Sequence, residues 1–220
     1  CATTGEFTEP LSPNREIELK DMIGPRMITP EVLAIRLRQL FGNDVMTLGL
    51  HKLVMNEYRI DLGGIDSVNT KVRRREPNAA SELVRIFLAF EVDKLVQNDL
   101  ARPPQSRYLF NDLDWGAAPI EAPFNPGTNA QINEAKYRAT LVKIHTFAFG
   151  KHFTPNSPEI TAAYNTFTNM WMETLKDLGT SKIASTHVPK GSEGSDPLGL
   201  LRTWGAYMAS IVQSTEFHMG

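Results

Sequence analysis

The 220 residues, 41% hydrophobic and 9% aromatic, are enough to bury a substantial core without disulfide support and predict a single main domain. Lys plus Arg number 23 against 25 Asp plus Glu, a net charge of -2, which excludes the strong basic field of a nucleic-acid binder and offers no global attraction to an anionic membrane surface. A single cysteine excludes a disulfide within these residues, a Cys-x-x-Cys zinc or iron–sulfur site and Cys-x-x-Cys-His haem attachment.

That cysteine is Cys1, and with Ala2-Thr3-Thr4-Gly5 and a polar, proline-containing stretch behind it the start resembles a mature bacterial lipoprotein. In such proteins the thiol carries a diacylglycerol and the amine is acylated as well. Several fatty chains, at ~0.8 kcal/mol per buried methylene, give the persistent anchor that one chain does not. Residues 1–25 show no sustained periodicity and read as a tether, leaving 26–220 as one helical domain.

The first firm helix begins at Thr29-Pro30-Glu31 and ends at Gly42, with Leu33, Leu37, Leu40 and Phe41 on one face. A shorter helix is expected over 47–57. Beyond Gly63-Gly64 and the basic run Lys71 to Arg75, Asn78 is placed to cap a long helix to Leu100, with Leu83, Phe87, Phe90 (or Ile86), Val92 and Leu95 turned inward. Its apolar stretch, Leu83 to Phe90, is far shorter than the ~20 residues of a membrane span. Residues 101–128 read as a long ordered loop carrying Tyr108, Phe110, Trp115 and Phe124. A third helix is expected over 129–149, with Ile132, Leu141, Ile144 and Ala148 facing the core. The fourth is capped by Ser157 and carries Ile160, Tyr164, Phe167, Trp171, Leu175 and Leu178; a last helix follows Asp196-Pro197 through Trp204 and Met208 to near Thr215. About five helices with long irregular connections and no long alternating pattern predict an all-α fold.

Several of these stretches carry a resemblance: Leu62-Gly63-Gly64-Ile65-Asp66-Ser67 with its basic run, Ile144-His145 ahead of Gly150, Ser157-Pro158-Glu159-Ile160 with Tyr164, Phe167 and Trp171, and Arg202-Thr203-Trp204. Over roughly residues 28 to 219 the chain is similar to a helical domain of secreted, often lipid-anchored proteobacterial and planctomycete proteins that frequently accompanies c-type cytochrome modules. The resemblance implies an envelope protein with a helical fold and a redox neighbourhood.

No complete catalytic constellation is present. Gly-x-Ser-x-Gly is missing, Asn111-Asp112-Leu113-Asp114 lacks the remaining ligands of a calcium loop, and Gly63-Gly64 lacks the Lys-Ser or Lys-Thr of a phosphate loop. His145 and His152 are the weak metal or haem candidates, two imidazoles without an Asp or Glu one helical turn from His145. Arg73, Arg74 and Arg75 suit bidentate capture of a partner's carboxylates, and Trp115 is a further candidate contact. These readings predict a non-enzymatic structural or accessory subunit of a larger envelope assembly. It is expected to be lipid-anchored through Cys1 to the outer membrane on the periplasmic or surface face, to meet other envelope proteins, and to have no nucleic-acid partner and no cofactor beyond the lipid. The alternative is a redox accessory that docks a cytochrome or binds haem noncovalently.

Overall fold

The computed structural model describes residues 28–61, 79–113, 120–124, 130–179, 196 and 199–219. Local chemistry sets the ends of α1, Pro30–Phe41. The Thr29 hydroxyl accepts the Val32 amide at 3.2 Å, Pro30 sits in the first turn where its missing N–H costs nothing, and Gly42 takes φ 62° at the other end. The helix expected over 47–57 is broken instead. Gly49 at φ 81° separates α2, Asp44–Thr47, from α3, Leu50–Lys52, which continues into a π-type turn over Leu53–Glu57.

The 22-residue helix α4, Ala79–Leu100, is the spine of the fold and lies along α7, Leu200–Gln213. Gly205 permits this close approach, because a Cβ there would collide with the Asp93 carboxylate. The inward face of α4 differs from the one expected. Val92 and Leu95 are buried as predicted, but Leu83, Ile86, Phe87 and Phe90 point outward, and Val84, Leu88, Ala89 and Val96 take the core positions. Apolar residues recur at helical spacing on both faces, so the period identifies the helix and leaves its orientation open.

Helix α5, Glu134–Phe149, starts later than expected. Asn133 caps it by accepting the Lys136 amide, Gly150 ends it at φ 66°, and residues just before it form a strand. That strand, Ala130–Ile132 (β2), pairs in parallel with Ile120–Ala122 (β1), and Ile132 is exposed rather than in the core. Three-residue strands are too short to leave an alternating pattern, and they do not alter the class, which is all-α. Helix α6, Pro158–Gly179, follows the Ser157 cap, whose hydroxyl accepts the Ile160 amide. The Asp196 carboxylate accepts the Leu201 and Arg202 amides at the start of α7, and the short α8, Thr215–His218, closes the described chain.

Trp204 stands at the centre of the core. Its ring lies 4.2 Å from Phe167, 5.0 Å from Phe110, 5.9 Å from Tyr137 and 6.0 Å from Tyr207 by centroid, which ties α5, α6, α7 and the segment after α4 together. Trp171 packs edge-on against Phe124, and the Tyr164 hydroxyl donates to Pro123 O at 2.8 Å. The two ends of the described domain meet. The Ile28 amide donates to His218 O at 2.9 Å, and Arg36 donates to Phe217 O at 2.7 Å. Among the described residues, no helix is long and apolar enough to cross a membrane.

Candidate interaction face

At ~100° per residue, Leu83, Ile86, Phe87 and Phe90 share one side of α4, opposite the face that meets α7. Leu83 is 53% exposed, Ile86 45%, Phe87 46% and Phe90 59%. A single exposed leucine is ordinary, but four large apolar side chains at i, i+3, i+4 and i+7 make a contiguous stripe that water solvates poorly. Covering the exposed half of each would contribute roughly 1 kcal/mol apiece. Tyr58, at the end of the π-type turn, stacks on Phe87 with centroids 6.5 Å apart and rings 4° from parallel, and so borders the stripe. Glu82 and Glu91 flank the stripe, Glu82 paired to Arg85 at 3.3 Å and Glu91 to Lys94 at 2.6 Å.

His145 is arranged for packing. His145 Nε2 lies 2.7 Å from the Tyr207 hydroxyl, and its ring meets Phe149 and Phe153 edge-on. Burial pushes its pKa below 6.5, and the Glu216 carboxylate opposes that shift only in part, so the neutral imidazole serves as hydrogen-bond partner to a buried phenol. Tyr207 is shifted upward by burial, which keeps its hydroxyl protonated. His152 is exposed beyond the end of α5. Among the described residues, no group of three His, Cys, Asp or Glu side chains is placed to hold a metal ion.

Cys1, Arg73, Arg74, Arg75 and Trp115 lie outside the described residues, as do Gly63-Gly64 and Asp114. Asp112 is exposed on the segment after α4. That segment is held by a buried carboxylate that the sequence reading did not single out. Asp99 accepts the amides of Tyr108 at 2.7 Å, Leu109 at 2.9 Å and Phe110 at 3.2 Å. Lys143 on α5 donates to Tyr108 O at 2.7 Å and to Asn111 Oδ1 at 3.1 Å, so the turn is clamped from two helices. The outward stripe was also missed as a site. Its signal is an α4 segment apolar on both faces, which asks for a partner on each.

No protein-family model, curated protein or solved structure matches this chain.

Proposed function

We propose that this chain is a non-enzymatic structural or accessory subunit of a membrane-associated assembly in a bacterial envelope. The observation that carries the reading is the exposed stripe Leu83, Ile86, Phe87 and Phe90, an apolar surface with the period of a helix contact, on a helix whose opposite face already has its partner inside the fold. The lipid expected on Cys1 supplies the address of this reading, the outer membrane, and concentrates the domain near its neighbours so that a small interface suffices. Of the two candidate histidines, the better buried, His145, is already engaged with Tyr207.

Extraction of the native protein with mild detergent, followed by native electrophoresis and crosslinking, tests the reading. The domain is expected to migrate in a species heavier than itself, with crosslinks from α4. A monodisperse, uncrosslinked 24.6 kDa chain from native membranes refutes it. The mass of the N-terminal peptide tests the address separately, through added acyl mass on Cys1.

A further inference from the structure

Arg85 is buried on the inward side of α4, and its guanidinium is only partly used. Nη1 meets Glu82 at 3.3 Å and the Thr215 hydroxyl at 3.5 Å. Among the described residues, Nε and Nη2 are buried and have no hydrogen-bond partner. These two atoms belong together. Nε–H and Nη2–H point the same way along one edge of the planar group, and that edge is the fork that receives both oxygens of a carboxylate side by side. We infer that the Nε–Nη2 edge of Arg85 is a binding site for a small carboxylate, held where α4 meets α8. The inference is independent of the assembly reading and uses the opposite side of α4 from the exposed stripe.

Charge sets the class of ligand. Arg36 reaches the same end of the fold from α1, donating to Phe217 O at 2.7 Å and to Met219 O at 3.5 Å. Burial holds the pKa of His218 down, and the charges of Arg85 and Arg36 push it the same way, so both guanidiniums lie within electrostatic reach of one ring. Among the described residues, the one carboxylate paired with either of them is Glu82, and its exposure of 55% lets solvent screen it. A single further negative charge balances this group. A phosphate dianion brings a second charge that one fork does not match.

Burial sets the size. Arg85 is 3% exposed, so a carboxylate carried on a bulky molecule does not follow it in. Entry requires local movement, and Glu82 is the side chain placed to make it, since it reaches from Nη1 to solvent. Swung outward, Glu82 uncovers the guanidinium; swung inward, its charge competes with that of the ligand.

Acetate is the probe. In the full chain carrying Cys1→Ser at pH 7, acetate replacing chloride at constant ionic strength is expected to shift the His218 ring signals in NMR saturably and to raise the pKa of that ring, because the added charge offsets that of Arg85. The urea midpoint is expected to rise along the same binding curve. Arg85→Met, which removes the fork, is expected to lose the saturable response. Arg85→Lys keeps the charge without the fork and is expected to bind at least tenfold more weakly. Glu82→Gln removes the competing charge and is expected to bind severalfold more tightly. A parent chain with no saturable response, a response of Arg85→Met or Arg85→Lys equal to the parent's, or tighter binding of phosphate than of acetate would each overturn the proposal. Weaker binding by Glu82→Gln would overturn it as well, by showing that Glu82 is part of the site and not its cover. None of these outcomes changes the heavier species expected from native membranes, so the two readings fail separately.

Discussion

Arg85 is 3% exposed, and its Nη1 has two partners, Glu82 at 3.3 Å and the Thr215 hydroxyl at 3.5 Å. Among the described residues its Nε and Nη2 are buried without a hydrogen-bond partner, so the guanidinium meets only part of its desolvation cost. Methionine fills a similar volume and brings no donors, and Glu82, being 55% exposed, is readily resolvated when its cation leaves. Arg85→Met is therefore expected to unfold in urea within about 1 kcal/mol of the parent, or above it. A loss of 3 kcal/mol or more would mean that the two free donors have an acceptor in solution. His218 makes the complementary case. Its Nε2 is bonded to Val212 O at 2.7 Å, and burial, with smaller contributions from Arg85 and Arg36, holds its pKa down at about 4. The folded chain keeps the imidazole neutral while the unfolded chain takes up a proton below 6.5, so the stabilisation is full above pH 6.5, falls as pH drops toward about 4, and levels off below. The gap corresponds to roughly 3 kcal/mol at most. Urea unfolding at pH 7 and pH 4.5 should show this loss, and His218→Gln should remove most of it; an unchanged pH dependence would locate the titrating group elsewhere. His145, also shifted down by burial, contributes in the same direction.

Elements were legible wherever the chain carries its own stop signals. Thr29-Pro30, Ser157-Pro158, Gly42 and Gly150 each mark a helix end through a hydroxyl acceptor or a positive φ, and these depend on neighbours in sequence alone. Orientation was not legible for α4, because which of its two apolar faces turns inward is decided by α7, more than a hundred residues away, where Gly205 lets Asp93 approach. Asp99 was missed for the same reason: an aspartate at a helix end looks solvated until the turn from Tyr108 to Phe110 folds back over it. Three amide donors on one buried carboxylate make it a joint between α4 and the following segment. Asp99→Ala is expected to cost about 3 kcal/mol, because those donors lose their acceptor while still buried. Hydrogen exchange should report the loss first at the Tyr108, Leu109 and Phe110 amides; uniform acceleration across α4 and α7 would show instead that the joint is part of the global unfolding unit.

At the scale of the molecule, one core reaches every long helix, and the described ends are fastened to each other rather than left free. Ile28 donates to His218 O and Arg36 to Phe217 O, so α1 and α8 can detach only by breaking bonds that join opposite ends of the described domain. The aromatic cluster around Trp204 couples α5, α6 and α7 in the same way, and loss of one helix exposes the rings of the others. This connectivity predicts a single cooperative transition. Ellipticity at 222 nm, which follows the helices, and near-ultraviolet ellipticity, which follows the packed Trp204 and Trp171 rings, should trace coincident urea curves. Arg36→Met removes a charged donor from two carbonyls of the C-terminal turn, which should lower stability by about 1.5–3 kcal/mol while the two curves stay superimposed. Should the helical signal instead fall in two steps, with the first step deepened by this substitution and the tryptophan signal unmoved, α1 and α8 form a separate unit. In that event the closure of the ends would contribute to local order alone and not to the stability of the core around Trp204.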